Sequence, residues 1–242
     1  MKNIIVFLSF YLVSYSFFSQ VNSDRPDQTE SSIVLDAGMI QIESGFSFEK
    51  EKPGIDGKLM VLNNLIRIGI LKDFELRFNT NTVKDFTDNE ESKKFVFSDL
   101  EIGLKAQILN NESKNTKVAF LTHYSIPSST IYNSENSALL SRILVSHNLN
   151  KDYQIGYNIG YNNYFNLDYD ELIYTFAFSR SFKKFALFYE VFGTESNNVS
   201  DINWDIGITY ELYKNIQIDF AKGKGFNNDL NYYTFGICWL FY

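Results

Sequence analysis

The chain has one cysteine (Cys238), three prolines and two histidines in 242 residues. A single cysteine excludes an internal disulfide and any cysteine-built metal site. So few prolines leave long strand ladders uninterrupted. The formal charge is −7, so the basic excess that holds nucleic acid is missing. Beyond residue 20 there is no long apolar run, and no helix there would carry the chain through a membrane. No H-E-x-x-H, P-loop or dinucleotide glycine motif occurs.

What the chain has in abundance is aromatic side chains, with 16 Tyr and 23 Phe, and alternation. In YQIGYNIGYNN, Tyr153, Ile155, Tyr157, Ile159 and Tyr161 share one face, and Gln154, Gly156, Asn158, Gly160 and Asn162 the other. INWDIGITYE and SDLEIGLKAQIL repeat the pattern, with Ile206 opposed to Asp205 and Ile102 to Glu101. Period-two alternation predicts strands. One apolar and one charged face suit a wall between lipid and a wet interior.

About twelve strands are predicted: 38–50, 58–71, 74–82, 95–109, 116–126, 138–148, 153–163, 171–182, 185–192, 202–212, 216–222 and 232–242. Most reach the nine to eleven or so residues that a tilted membrane-crossing strand needs. Connections alternate in length. LKDF, NLNKDY, FKKF and LYKN are tight; EKPGIDG, VKDFTDNEESKK, PSSTIYNSENS, NNYFNLDYD, GTESNNVSD and GKGFNNDLN are long. That is the arrangement of short periplasmic turns and long extracellular loops. Phe74, Tyr153, Phe185 and Tyr213 follow the tight turns and would form an aromatic girdle, with Lys72, Lys151, Lys183 and Lys214 outside it. The terminal strand YYTFGICWLFY would pair with the first and leave no edge, in the manner of clients of the barrel-assembly machinery.

Residues 1–19 read as a signal peptide: Lys2, then an apolar run from Ile4 to Phe18. Residues 20–37 form a charged segment and 38–242 an antiparallel up-and-down transmembrane β-barrel.

The charged segment carries a resemblance. Asp24, Arg25, Pro26, Asp27, Thr29, Glu30 and Ser31, followed by Gly38, Gln41, Ile42, Glu43 and Gly45, resemble the D-R-P-D-x-T-E-S and G-x-x-Q-I-E-x-G opening of the meta-pathway phenol-degradation family of outer-membrane transporters. The resemblance implies passage of small apolar or aromatic compounds. HYSIPSSTIYNS departs from the family pattern after the fifth strand.

Two readings compete for SDRPDQTESS: a solvated periplasmic tail, or a plug entering the lumen from the periplasmic side. The plug reading sets Arg25 against lumen carboxylates, and Asp24, Asp27 and Glu30 near lumen cations. The inferred lumen and solute path carries Arg67, Arg77 and Lys105 with Glu75, Glu101, Asp205, Glu211 and Asp219. In a wet lumen such pairs would be individually weak. His123-Tyr124-Ser125 resembles the H-x-S arrangement of outer-membrane phospholipase A, but Ser125 is followed by Ile126 and Pro127 rather than Asn-Gly. Asp85, Asp88, Glu90 and Glu91 read as a solvated acidic loop. The expectation is a monomeric channel in outer-membrane lipid for a small-molecule solute, not an enzyme, without cofactor, metal or nucleic-acid partner. The alternatives are a structural or adhesive barrel displaying its loops, and a lipolytic one.

Overall fold

A computed structural model describes residues 21–50, 58–85, 95–127 and 136–242. Twelve antiparallel strands close into one barrel, each bonded to its sequence neighbours and the last to the first. They are β1 (Ile40–Lys50), β2 (Lys58–Leu71), β3 (Phe74–Asp85), β4 (Val96–Asn111), β5 (Thr116–Ile126), β6 (Ala138–Asn148), β7 (Tyr153–Tyr164), β8 (Asp170–Phe182), β9 (Phe185–Ser196), β10 (Val199–Tyr213), β11 (Ile216–Gly225) and β12 (Asn231–Phe241). Closure runs from Ile40 opposite Phe241 to Glu49 opposite Tyr232. It satisfies the backbone of both end strands, which hydrocarbon requires.

Alternation sorts the side chains. Ile42, Ile102, Phe120, Ile159, Phe176, Ile206 and Trp239 are exposed on the outer surface. Gln41, Glu43, Arg67, Arg77, Lys105, Glu190 and Asp205 are buried inside. An apolar belt around a polar interior inverts the water-soluble pattern and is the transmembrane one. On β12, Phe235, Ile237, Trp239 and Phe241 face out, while Cys238 and Leu240 are fully buried. Phe74, Phe185 and Tyr213 stand exposed at the tight-turn end. Tyr153 is half-buried there, with the Arg180 guanidinium 5.1 Å from its ring.

One connection differs from expectation. GTESNNVSD is no long loop: β9 and β10 extend to Ser196 and Val199 and meet in a two-residue turn. Asn197 and Asn198 take φ of 48° and 64°, the left-handed pair of a type I′ hairpin turn, which asparagine tolerates well. Its polar residues suggest a loop, but a strand end lying beyond lipid needs no apolar face.

The loops at 51–57, 86–94 and 128–135 lie outside the described residues, and with them Asp88, Glu90, Glu91 and most of the surface on which the adhesive alternative depends. Residues 1–20, where the signal peptide is expected, lie outside them as well. Asp85 closes β3.

Candidate functional site

Residues 22–36 run inside the barrel rather than below it. Both limbs of the segment are held at the tight-turn end by one guanidinium: Arg67 donates from Nη1 to the Asn22 carbonyl (2.6 Å) and from Nη2 to the Ile33 carbonyl (3.0 Å). Between them the chain rises into the lumen and returns. The Ser31 N–H donates to Asp24 Oδ1 across the loop (2.7 Å), and the Arg25–Pro26 peptide is cis.

The charged residues of the segment meet partners on the wall. Asp24 Oδ2 lies 2.6 Å from Arg77 Nη1, 3.1 Å from Lys105 Nζ and 3.5 Å from Arg67 Nη1. Burial pushes the Asp24 carboxyl up, but Arg67, Lys105 and Arg77 outweigh burial and hold it well below the usual carboxylate range. Glu30 accepts from Arg77 Nη2 at 2.8 Å. Arg25 donates to Asp219 Oδ1 (3.1 Å) and to Thr234 Oγ1 (2.8 Å).

Asp27 is the exception. It faces carboxylates instead of cations: burial, then Glu190, then Asp205, push its carboxyl well above the ordinary value. Glu190 is engaged by the residues beside Asp27, accepting from the Gln28 N–H (2.7 Å) and from the Thr29 hydroxyl. Tyr232 donates to Asp205 Oδ2 at 2.6 Å.

Behind Asp24 the wall forms its own network. Arg67 donates to Glu75 through Nε (2.7 Å) and Nη2 (2.9 Å) and to Glu43 (3.1 Å). Arg77 donates to Glu75 at 3.1 Å. The sequence predicts a wet lumen, yet the side chains of Arg67, Glu43, Glu75 and Lys105 are fully buried. The segment itself displaces the water, so the pairs are less screened than lumen charges in contact with solvent.

The first strand is built around the segment. Gln41 donates to the Asn22 carbonyl (2.8 Å), and Glu43 accepts from Ser23 Oγ (2.8 Å) and the Asp24 N–H (3.0 Å). Gly45 leaves room for Arg25; a Cβ there would lie 2.1 Å from Arg25 Cζ. Gly38 takes φ of 90° where the chain turns into β1, and its N–H donates to the Gly69 carbonyl (2.8 Å). The two motifs in the sequence are thus two halves of one contact. Glu43 and Glu190, absent from the expected lumen set, are central to it. Glu43 belongs to the second motif, but Glu190 in FYEVFG carries no signal beyond inward parity.

Other expected residues sit elsewhere. Glu101 accepts from Asn79 (3.1 Å) and from His123 Nδ1 (2.9 Å), above the Asp24 cluster. Glu211 is half-buried near the tight-turn end of β10. His123 also accepts at Nε2 from Arg77 Nε (3.1 Å), so both ring nitrogens are engaged away from Ser125. A histidine that accepts from an arginine is not placed to take a serine proton. His147 joins Thr116 (2.9 Å) and Tyr157 (3.2 Å) at the tight-turn rim.

On the extracellular side of the segment lies a cavity of about 480 Å³. Its floor includes Asp24, Arg25 and Asp27, and its walls mix Val61, Leu140 and Phe192 with Asn63, Asn81, Glu101 and Arg142.

Residues 23–237 match the family model described as "Putative MetA-pathway of phenol degradation". The chain belongs to this family. No curated protein matches it in sequence. Among solved structures, the COG4313 outer membrane channel from Pseudomonas putida F1 is similar, with a TM-score of 0.69 at 10% identity over 86% of this chain and 97% of that one. The KdgM porin in complex with disordered oligogalacturonate gives 0.60 at 13%, over 84% and 99%. The NanC porin gives 0.57 at 12%, over 83% and 98%. With the lipid-facing belt and the family match, these likenesses make the chain an outer-membrane barrel of the channel and porin architecture.

Proposed function

We propose that this family member is a passive outer-membrane channel for a small solute, closed at rest by its own residues 23–32 and without enzymatic activity. The observation that carries the reading is the set of buried ion pairs joining Asp24, Arg25 and Glu30 to Arg77, Lys105 and Asp219 inside a closed barrel. A solvated tail has no reason to place these charges out of water opposite counter-charges. Arg67, Glu75, Arg77 and Lys105 act as the seat, Asp219 holds Arg25 on another part of the wall, Asp205 is buried beside Tyr232, and Glu101 lines the remaining path.

The extracellular cavity lies in the usual range for small-ligand sites, about 300–1,000 Å³. Its lining is largely charged and polar, and Val61, Leu140 and Phe192 are the apolar groups that a small ring with a hydrogen-bonding substituent would meet, in keeping with the family description. The solute enters from outside, and passage requires the segment to leave its seat. Nothing in the seat consumes energy; occupancy alone sets the flux.

Deleting residues 23–32 tests this. The variant should still show the heat-dependent gel shift of a folded barrel. Liposomes containing it should swell faster in phenol-sized and larger polar solutes than liposomes with the full chain. A folded deletion variant with unchanged permeability would return the segment to a mere tail.

A further inference from the structure

Two kinds of carboxylate line the lumen. Around the segment, Glu43, Glu75 and Asp219 each meet an arginine at 2.7–3.1 Å. Nearer the extracellular rim the partners are neutral. Glu49 accepts from Ser47 Oγ (2.9 Å), and Asp201 from Asn228 (3.2 Å). Glu171 accepts from Asn162 (2.9 Å) and Tyr164 (3.2 Å). Glu101 accepts from Asn79 (3.1 Å) and from His123 Nδ1 (2.9 Å). That imidazole is itself neutral, because its Nε2 accepts from Arg77.

These four carboxylates encircle the lumen above the segment. Glu49 and Glu101 line the extracellular cavity. Glu171 shares inward parity with buried Thr175, and Asp201 with buried Asp205. Glu101, Glu171 and Asp201 stand four residues above Lys105, Thr175 and Asp205, about 13 Å of strand. Their strands, β1, β4, β8 and β10, are spread around the barrel, so the four are a ring and not a patch on one wall. Among the described residues, Arg142 is the one wall cation of the cavity that does not hold the segment.

We infer that this ring makes the extracellular vestibule a charge filter, which admits small cations and uncharged or amine-bearing rings and turns away anions, carboxylate-bearing rings included. The inference rests on the channel reading and names the solute class of that path. A carboxylate paired with an arginine presents little net charge. One bonded only to amides and hydroxyls keeps its charge whole, and four of them outweigh Arg142. Low-dielectric walls focus such a field and raise the local concentration of counter-ions. Rings of Asp and Glu give cation channels their preference in the same way. The long connections 51–57, 86–94 and 128–135 do not offset the ring, since they carry six acidic residues to three basic ones.

Reversal potentials of full-chain openings, recorded in planar bilayers across a salt gradient, test the filter. Potassium should permeate several-fold better than chloride, and benzylammonium several-fold better than benzoate, a ring of the same size. Each carboxylate takes its printed bonds on one oxygen, so an isosteric amide keeps them. The combined variant Glu49→Gln, Glu101→Gln, Glu171→Gln and Asp201→Asn should therefore retain the heat-dependent gel shift while both ratios fall toward one. Arg142→Gln alone should raise both. Ratios at or below one in a conducting full chain would overturn the filter and leave the channel reading intact. So would ratios that neither the combined variant nor Arg142→Gln changes. A full chain that carries no current at any voltage would overturn both.

Discussion

Along β2–β4 the lumen wall presents Arg67, Glu75, Arg77 and Lys105; along β6–β8 it presents Ser146, Gly156, Asn158 and Ala177. Both walls touch the same segment. On the first, four charged side chains fix Asp24 to within 2.6–3.5 Å of three cations. On the second, hydroxyls meet singly, as in Ser32 Oγ to Ser146 Oγ at 2.6 Å, and a gap remains beside them. Charge, where it is buried, dictates position because an unpaired partner is costly. Small neutral groups dictate little and leave room. A channel that must be closed yet openable needs both: one wall to define the seat and another across which the seated segment can be left.

The largest effect should come from breaking the charged wall. Arg67→Ala leaves Glu43 without its cation, leaves Glu75 with Arg77 alone, and removes the anchor of both limbs at Asn22 and Ile33. Loss of one partner in a buried pair costs about 3–5 kcal/mol. Asn158→Ala, on the neutral wall, should cost about 1 kcal/mol, the worth of its amide bonds to the Glu30 backbone. Urea unfolding of both variants in detergent measures the difference, and equal costs would erase the distinction between the walls.

A smaller effect is expected from the outer face of a single strand. Ile206 is half exposed to lipid and Asp205 fully buried beside it. Arginine on the lipid face costs about 2–4 kcal/mol at the bilayer midplane and less toward either interface. Ile206→Arg should therefore impair insertion into lipid vesicles, while Asp205→Arg, which brings a cation toward Glu190 and Asp27, should insert as well as the parent chain. The reverse order would mean that inward and outward parity had been exchanged along β10.

That parity is legible in the amino-acid sequence. YQIGYNIGYNN and INWDIGITYE assign every residue to a face by counting, since a pleated strand has period two. The β9–β10 turn is not legible, because polar residues beyond the membrane look alike in a loop and in a protruding hairpin. The charged wall is half legible. Inward parity picks out Arg67, Glu75, Arg77 and Lys105, and the two motifs mark both sides of the contact. Which pairs with which depends on barrel curvature and on the path of residues 22–36, and neither is a local property. Asp27 shows the limit: charge complementarity assigns it to a cation, whereas the rise of the chain carries it across the lumen to Glu190 and Asp205.

Asp27 also makes two carboxyls of the segment respond to pH with opposite sign. The Asp24 carboxyl is depressed, so its contribution to the seat is present at neutral pH and is lost as pH falls below the usual carboxylate range. The Asp27 carboxyl is raised by burial and by Glu190 and Asp205. Its contribution is fully present below the ordinary carboxylate value and is lost as pH rises through its raised one. Open probability should accordingly climb as the bath is made alkaline, and Asp27→Asn should flatten that rise without changing the acid limb. An alkaline limb that survives in Asp27→Asn would assign it to the wall carboxylates alone.

The smallest change belongs to the neutral wall. Ser146→Ala removes one hydroxyl-to-hydroxyl bond to Ser32 and nothing else that holds the segment. A bond of this kind contributes about 0.5–1.5 kcal/mol, and beside a gap open to water the lower end applies. Since about 1.4 kcal/mol is tenfold in an equilibrium, the seated fraction should shift by less than tenfold, visible as shorter closed dwell times in single-channel records. Arg67→Ala should abolish long closed dwells altogether. If Ser146→Ala frees the segment as completely as Arg67→Ala, the two walls hold it equally, and the asymmetry of charge across the lumen has no part in keeping the channel shut.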